Sequence, residues 1–361
     1  MITFIAGTTA EYIKIAPILR ELRERGVEYQ LWATDQHVEG ASEVLQDFGL
    51  PPEDAHFVPS SHRQTVARTG QVIPWLARIA GTFVRFFPEF RRRCDRGIVV
   101  VHGDTFTTVI GALMGRLWGC RVAHVEAGLR SGALFNPFPE EINRRIVGRL
   151  AQLHFAPTEL ERDNLASSVT RGSRIIVTKA NTVVDALRYA INHTTPRQDL
   201  PEHFALVTLH RFELVQNQND YTTILRRVER LAEDMPVVMM LGQSERVLLK
   251  KYGLTSILNG NITVLEKERY INFMAILTRA ALVITDSGGL QEECAVLGVP
   301  TAVHRAHTER QQGLGRNVVL TKMDLTILDD FLTHWREYQF DSLVEAYHPS
   351  RIIADTLTEK A

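Results

Sequence analysis

The chain has 361 residues, more than a single hydrophobic core usually serves, so two domains are expected. Its formal net charge of −1 provides no general basic field that would draw it to nucleic acid or to an anionic membrane. Its three cysteines, Cys94, Cys120 and Cys294, are widely spaced and argue against a disulfide framework and a zinc site. The start of the chain, residues 1–7, is predicted as a strand rather than a signal peptide. Because no apolar run approaches the roughly 20 residues that span a bilayer, we predict a reduced, cytoplasmic protein.

In the first half of the chain, short apolar runs alternate with longer segments of helical periodicity. The predicted strands are 2–6, 29–33, 98–102 and 121–125, and the predicted helices are 10–25, 73–93 with an interruption at Pro88, and 105–118. Such alternation is typical of an α/β protein with a parallel, doubly wound sheet.

The second half repeats the pattern. The predicted strands are 205–209, 237–241, 282–285 and 301–303, and the predicted helices are 221–233, 269–280 and 291–297. The segment 192–201 is polar and broken by prolines, as surface connections are. The change of domain is therefore expected between about residues 170 and 200.

A Ser-Gly-Gly turn lies between a predicted strand and a predicted helix. Ser287, Gly288 and Gly289 allow the main chain to approach a ligand closely, and the first amides of the helix point at it. Phosphate is the usual occupant of such a turn. Glu292 and Glu293, one turn later, can accept hydrogen bonds from ribose hydroxyls. The alternative is an ordinary strand-to-helix turn whose glycines only permit close packing.

Polar residues follow several predicted strands. Asp104, Glu126 and His210 come just after three of them, and Glu140 lies on a loop beside them. Neighbouring carboxylates push their pKa values apart, which yields an acid and a base, and histidine titrates near neutrality. The arginines that suit a diphosphate are Arg130, Arg144, Arg211 and Arg310.

Each of these residues also has a structural interpretation. Asp104 can cap a helix, Glu126 can pair with Arg130, Glu140 can open a helix, and His210 can be a satisfied polar residue at a strand end. The usual fingerprints of metal, dinucleotide, ATP and serine-hydrolase sites (HExxH, CxxC, GxGxxG, GxxxxGK[ST] and GxSxG) do not occur.

Taken together, these residues resemble the UDP-N-acetylglucosamine 2-epimerase family in its non-hydrolysing bacterial branch. The resemblance covers nearly the whole chain. Its motifs are, in order, Gly7-Thr8 with Glu11 and Lys14, Gln36-His37, His102 to Thr105, His124 to Ser131, Pro139 to Glu141, Asn143-Arg144, Asn181-Thr182 with Asp185-Ala186, His210-Arg211 with Glu213, Thr285 to Glu293, and Thr308 to Arg310.

The resemblance implies a glycosyltransferase-B-type fold, in which two Rossmann-like, doubly wound domains face a cleft. The first domain is expected over 1–173, joined by a C-terminal helix at about 343–361 that crosses back to it, and the second, UDP-binding domain over 174–342. A homodimer is also implied. The family inverts C2 of a UDP-2-acetamido sugar without NAD or metal. UDP leaves C1 as the C2 proton is removed, and it adds back to the 2-acetamidoglucal after reprotonation on the other face.

The resemblance also implies residue roles. The acid–base set is Asp104, Glu126, Glu140 and His210, and the sequence does not say which of them takes the C2 proton. The substrate and UDP set is Lys14, Arg144, Arg211, Ser287, Gly288, Gly289, Glu293 and Arg310. Gln36 and His37 match positions that the family links to a second, regulatory UDP-sugar site. No cofactor is implied.

The chain departs from the family pattern at several positions. Thr9 stands where the first loop usually has arginine, Gly242 begins a segment that often reads His-x-Asn, and Gln311 replaces a proline. We therefore expect the chemistry to be kept while the sugar, or the balance between epimerisation and hydrolysis, has changed. The alternatives are a hydrolysing 2-epimerase and a non-catalytic UDP-sugar-binding homologue. The aromatic-rich segment 73–90 is either a dimer face or a buried helix.

Overall fold

The computed structural model describes residues 1–38, 40–66, 69–132, 138–195 and 197–359. The chain forms two compact units. Unit 1 comprises Met1–Tyr189 together with the chain from Tyr347 onward, and unit 2 comprises Ala190–Ala346. None of the helices in the described ranges is long and apolar enough to cross a membrane.

Unit 1 is built on a sheet of seven parallel strands in the order β3-β2-β1-β4-β5-β6-β7. The strands are β1 Ile2–Ala6, β2 Tyr29–Ala33, β3 Ala55–His56, β4 Ile98–His102, β5 Arg121–Val125, β6 Leu153–Ala156 and β7 Arg174–Val177. The strand order reverses between β1 and β4. Loops that leave the carboxyl ends of strands on either side of such a reversal diverge and create a crevice, where ligands of doubly wound sheets usually bind.

Helices flank this sheet. They are α1 Thr9–Glu24, α2 Ala41–Asp47, α3 Thr69–Arg85, α4 Phe87–Cys94, α5 Phe106–Trp118, α6 Glu140–Leu150, α7 Glu159–Ala166 and α8 Val183–His193, with a 3-10 turn at Ser60–His62. The sequence placed the end of the first domain at residue 173, but β7 is an edge strand of this sheet and the compact units divide within α8, after Tyr189.

Unit 2 has six parallel strands in the order β10-β9-β8-β11-β12-β13, with the same reversal between β8 and β11. The strands are β8 Phe204–Thr208, β9 Val237–Met240, β10 Ile262–Leu265, β11 Ala280–Thr285, β12 Thr301–Val303 and β13 Val318–Leu320. The helices are α9 Phe212–Val215, α10 Gln218–Asp234, α11 Gln243–Lys251, α12 Tyr270–Leu277, α13 Gly288–Leu297 and α14 Leu325–His334, with 3-10 turns at Thr255–Asn259, Trp335–Tyr338 and Val344–Ala346. Two parallel, doubly wound units confirm the predicted fold class.

A final helix, α15 (Pro349–Thr358), packs against α1 within unit 1. The backbone amide of Ser350 donates to Asp185 Oδ2 on α8 over 2.7 Å, and Asp355 forms an ion pair with Arg25 just beyond α1. The end of the chain therefore closes unit 1 rather than unit 2.

The long helix predicted over 73–93 is two helices, because the chain leaves helical geometry at Phe86. Pro88 lies in the first turn of α4, where a missing backbone N–H costs nothing. Trp75 and Phe90 are buried in the core of unit 1, whereas Ile73 and Val84 are exposed. One face of this segment is therefore core, as the buried-helix interpretation expected, while the dimer face stays a prediction.

Candidate active site

The predicted chemistry-bearing residues lie at the two strand-order reversals. In unit 1, Asp104 follows β4 and Glu126 follows β5, while Lys14 projects from α1. In unit 2, His210 follows β8 and the Ser-Gly-Gly turn follows β11. Because carboxyl ends of parallel strands meet at one edge of a sheet, each set is gathered within its own unit by topology.

Glu126 is the centre of a buried polar network in unit 1. Its Oε1 accepts from Lys14 Nζ over 2.7 Å and from Asn181 Nδ2 over 2.6 Å, and its Oε2 lies 3.4 Å from His102 Nε2. The Lys14 and Glu126 side chains are 10% and 5% exposed. The backbone of Glu126 is left-handed, with φ of 62°, which is unusual for a residue other than glycine. Such strain is tolerated where surrounding contacts fix the residue, and it is often found at functional sites.

Asp104 is held by α6. Its Oδ2 accepts from Arg144 Nε over 2.9 Å and from Arg144 Nη2 over 2.6 Å, while its own carbonyl accepts from Asn143 Nδ2 over 2.8 Å. The sequence offered Asp104 as a helix cap, but Thr105 is the residue that caps α5. The Asp104 carboxylate is therefore paired with a cation that is 4% exposed, and it remains 25% exposed itself.

Three successive carbonyls, at the end of β4 and in the loop that follows it, are each bound by a different element. Thr108 Oγ1 on α5 donates to the His102 carbonyl over 2.6 Å, and His124 Nε2 on β5 lies 2.7 Å from the Gly103 carbonyl. The Asn143 side chain on α6 binds the third, that of Asp104. Since the carbonyl requires a donor, His124 carries its proton on Nε2. The loop that presents Asp104 is thus fixed from three sides.

Glu11 occupies the N-terminus of α1. Its Oε2 accepts from the backbone amides of Gly7 and Thr8 over 2.8 and 2.9 Å, and its Oε1 accepts from Thr105 Oγ1 over 2.6 Å. Burial raises the pKa of Glu11 to about 7, although the Thr105 hydroxyl and the two amides favour the charged form. Glu11 ties the loop after β1 to the start of α5, on both sides of the reversal in unit 1.

Two buried histidines lie side by side on β5 and β6. His124 and His154 are paired in register and are 1% and 0% exposed. Burial lowers the pKa of His124 to about 4 and that of His154 to about 3, so both are neutral in the folded protein.

Glu140 and the candidate regulatory residues also belong to unit 1. Glu140 is the first residue of α6, half-buried and one turn before Arg144. Gln36 Oε1 accepts from Thr107 Oγ1 over 2.9 Å, and the His37 amide donates to the Gly7 carbonyl over 2.6 Å. Gln36 and His37 therefore border the loop after β1, beside the reversal.

His210 in unit 2 is anchored by Asp286, the first residue after β11. The backbone amides of His210 and Arg211 both donate to Asp286 Oδ2 over 2.8 Å, and His210 Nδ1 lies 3.3 Å from Asp286 Oδ1. Burial raises the pKa of Asp286, while the charges and amides of His210 and Arg211 oppose that effect. The His210 side chain is 56% exposed.

The Ser-Gly-Gly turn forms the start of α13, which begins at Gly288 rather than at the predicted residue 291. Ser287 is the N-cap, and its Oγ accepts from the Leu290 amide over 3.4 Å. The first turn of α13, all of it described, contains no acidic residue. Its amides can therefore bind an anion.

The remaining nucleotide candidates surround α13. Arg310 forms an ion pair with Glu292, and burial beside the Glu293 carboxylate raises the pKa of Tyr270. Gln291, fully buried, donates to the carbonyls of Arg310 and Gln312 over 3.1 and 3.2 Å. The loop that carries Arg310 is thus bound to the same helix as the glycine turn.

The structure groups the predicted residues by unit. In unit 1, Lys14 contacts Glu126 and Arg144 contacts Asp104, whereas Glu126 does not take the alternative partner Arg130 that the sequence offered. In unit 2, Asp286 and Gln291 organise the set, although neither was assigned a role from the sequence. The available signal was position, because Asp286 directly follows a buried strand, as Glu126 does, and Asp104 lies two residues beyond one. Within the described ranges, no group of three or more His, Cys, Asp or Glu side chains is arranged to hold a metal ion.

Known proteins resemble this chain over most of its length. The profile of the family described as UDP-N-acetylglucosamine 2-epimerase matches residues 20–331. The UDP-N-acetylglucosamine 2-epimerase of Yersinia pestis is 34% identical over 333 residues, which are 88% of this chain and 85% of that protein. The enzyme of the same name from Bacillus subtilis (strain 168) is 34% identical over 319 residues, which are 86% and 80% of the two chains.

A solved structure extends the likeness to the fold. The UDP-GlcNAc 2-epimerase from Neisseria meningitidis, in a crystal structure bound to UDP-GlcNAc, is 26% identical with a TM-score of 0.79, covering 99% of this chain and 100% of that one. These likenesses confirm the family predicted from the motifs. The chain belongs to the UDP-N-acetylglucosamine 2-epimerase family, a family of isomerases.

Proposed function

We propose that the protein inverts C2 of a UDP-2-acetamido sugar, of the UDP-GlcNAc to UDP-ManNAc type, by eliminating UDP and adding it back. The observation that carries the proposal is the pair of carboxylates in unit 1, Asp104 and Glu126, each bound to a buried cation beside the strand-order reversal. The Neisseria meningitidis relative binds UDP-GlcNAc in its crystal structure, which supports the same substrate class here.

The proposed chemistry needs a base at C2 and stabilisation of the departing UDP. The base takes the C2 proton, and the electron pair of the C2–H bond forms the C1–C2 double bond. The C1–O bond breaks, its electron pair leaves with UDP, and a 2-acetamidoglucal remains. A proton then returns to C2 on the opposite face as UDP adds to C1. The acid–base set that we propose is Asp104, Glu126, Glu140 and His210, because carboxylates and imidazole are suited to both proton transfers.

The proposed UDP site is the start of α13 with the residues around it. We assign the diphosphate to the amides of Gly288 and Gly289 with Ser287 at the N-cap, and the ribose to Glu293, because carboxylate oxygens accept from hydroxyls. The cations proposed to face the nucleotide or the sugar are Lys14, Arg144, Arg211 and Arg310. Preorganised donors of this kind lower the cost of the charge that develops on the leaving diphosphate.

We also propose a regulatory UDP-sugar site and a homodimer. Gln36 and His37 border the loop after β1, which is consistent with a second UDP-sugar site there. A homodimer is supported by exposed apolar side chains on α3 and α5, which are Ile73, Val84, Leu113 and Leu117. We further propose a cytoplasmic enzyme that supplies activated sugars for polysaccharide synthesis.

The test is proton NMR of the purified protein with UDP-N-acetylglucosamine in deuterated water. We expect deuterium at C2 and a new anomeric signal of UDP-N-acetylmannosamine. Free N-acetylmannosamine that accumulates in step with UDP would instead assign the protein to the hydrolysing class. Saturable binding without any exchange at C2 would overturn the proposed activity on this substrate.

A further inference from the structure

The environment of His210 is asymmetric. Its side chain is 56% exposed, but on the protein side its ring meets the carboxylate of Asp286, which is 1% exposed. Asp286 Oδ2 is already satisfied by the amides of His210 and Arg211. Among the described residues, Asp286 Oδ1 accepts no well-aligned hydrogen bond. His210 Nδ1 lies 3.3 Å from this oxygen.

A buried carboxylate oxygen needs a donor, since a charge without one is costly in a low-dielectric interior. The other polar groups whose charge interacts with Asp286 are Arg211, Arg305 and Tyr221. His210 is the neighbour that forms a close contact with the unsatisfied oxygen, at 3.3 Å from Nδ1. A proton on Nδ1 therefore supplies the donor that Oδ1 lacks. Because the neutral imidazole ring carries one proton, Nε2 is then unprotonated.

We propose that Asp286 is a positioning residue that fixes the Nδ1–H tautomer of His210 and thereby makes Nε2 the atom that His210 presents to reactants. The role of His210 in proton transfer rests on the proposed function, but the tautomer does not. Asp286 holds the backbone of the His210 loop and the ring at once, so the imidazole is oriented by one rigid group at the end of a buried strand.

The experiment uses the full-length protein labelled with ¹⁵N-histidine and compares it with Asp286→Asn. The His210 signals are assigned by their loss in His210→Gln. In the parent protein at neutral pH we expect Nδ1 to carry the proton and Nε2 to be bare. In Asp286→Asn the amide can donate to Nδ1, so the proton is expected to move to Nε2. The inference is overturned if the parent does not favour Nδ1–H, or if the variant keeps the parent tautomer.

A matched control separates positioning from general loosening of these loops. Thr208 Oγ1 and Thr285 Oγ1 are 2.7 Å apart at the ends of the same two strands, and Thr208→Val removes that hydrogen bond without touching the His210 ring. We expect Thr208→Val to leave the tautomer unchanged. If it moved the proton as Asp286→Asn does, the specific role of Asp286 would be refuted.

Kinetics then connect the tautomer to turnover. For Asp286→Asn we expect kcat to fall about 100-fold, because general acid–base groups contribute about 10²–10⁴-fold and need the correct tautomer, while KM changes by about threefold or less. A rise in KM with unchanged kcat would refute a role in proton transfer. Should the parent lack epimerase activity while the tautomer shift is observed, the proposed function fails and the inference about Asp286 stands.

Discussion

The two units share one strand order, but they fill their reversal points differently. In unit 1 the amides of Gly7 and Thr8, at the start of α1, are taken by the chain's own Glu11 carboxylate. In unit 2 the internal carboxylate, Asp286, binds the amides of the loop after β8, while α13 begins with two glycines and no acid in its first turn. The N-terminus of α1 is therefore occupied from within, and that of α13 is suited to an external anion.

The difference extends to the side chains. Unit 1 contains two ion pairs with buried cations, Lys14 with Glu126 and Arg144 with Asp104, whereas the candidate acid–base group of unit 2, His210, is more than half exposed. The proposed function uses the charged side chains of one sheet for proton transfer and the backbone donors of the other for a phosphate. The same topology serves both tasks because the sheet sets only where loops end, and the loop sequences set the chemistry.

The largest effect is expected from Glu126→Gln, which removes the charge from the centre of the unit 1 network. The substitution removes the charged oxygen that lies 2.7 Å from the Lys14 ammonium, and breaking such a buried pair costs about 3–5 kcal/mol of the free energy of unfolding. Loss of a proton-transfer group is expected to lower kcat by about 10²–10⁴-fold. Urea unfolding and steady-state kinetics measure the two effects.

Two further variants control this prediction. Lys14→Met combined with Glu126→Gln removes both charges and is expected to regain much of the stability but none of the activity. Asp163→Asn breaks an exposed pair with Arg162 on α7 and is expected to change neither quantity measurably. If Glu126→Gln were as stable as Asp163→Asn, the buried pair would not be a stabilising feature of unit 1.

Acid is expected to weaken unit 1 through its buried histidines. His154 has an ordinary pKa of 6.5 and a folded pKa of about 3, so the unfolded chain binds its proton first as the pH falls. The stability that His154 contributes is complete above pH 6.5 and is lost as the pH falls toward 3. The raised pKa of Glu11 has the opposite effect: between about pH 4.5 and 7, its contribution to the free energy of unfolding is lost as the pH rises.

The contribution of His154 is isolated by comparison with His154→Phe. The free energy of unfolding of the parent, relative to that of the variant, is expected to fall by about 1.4 kcal/mol for each pH unit below 6.5. Urea unfolding at several pH values between 7 and 4 measures this slope. A difference that does not vary with pH would show that His154 has the same pKa in the folded and the unfolded protein, which would contradict the prediction.

Thr9→Arg tests whether unit 1 has lost a phosphate contact. The family usually has arginine at this position, and one charged hydrogen bond contributes about 1.5–3 kcal/mol, so at least about tenfold tighter UDP binding is expected. Titration calorimetry with UDP measures the Kd. The hypothesis fails if the affinity for UDP is unchanged.

The smallest effect is expected from a pair of substitutions at the start of α13. A Cβ added at Gly288 would lie 3.0 Å from Arg305 Nη1, whereas one added at Gly289 would have its nearest neighbour, Ser287 Oγ, at 3.8 Å. Gly288→Ala is therefore expected to displace a cation beside the anion site and weaken UDP binding by about fivefold, roughly 1 kcal/mol. Gly289→Ala is the matched control. Equal Kd values for UDP in the two variants would contradict this geometry.

The sequence by itself determined the elements that local pattern controls. Apolar runs bounded by glycine or polar residues predicted β1, β2, β4 and β5 at their observed bounds, and the same reasoning placed Asp104 and His210 beyond strand ends. The Ser-Gly-Gly turn was predicted to lead into a helix from residue 291, because glycine turns have a local signature, and the helix begins three residues earlier. Short or weakly buried strands such as β3 and β7 lack such a signature and were missed.

Only the tertiary structure decided the partners. Glu126 lies 112 residues from Lys14 and 55 from Asn181 along the chain, and Asp104 lies 40 from Arg144, so no local pattern links them. It also decided that Asp286 faces His210, which is 76 residues away. The physical reason is that hydrophobic periodicity and turn-forming residues act over a few residues of the chain. The pairing of buried charges instead depends on which strands the sheet places side by side.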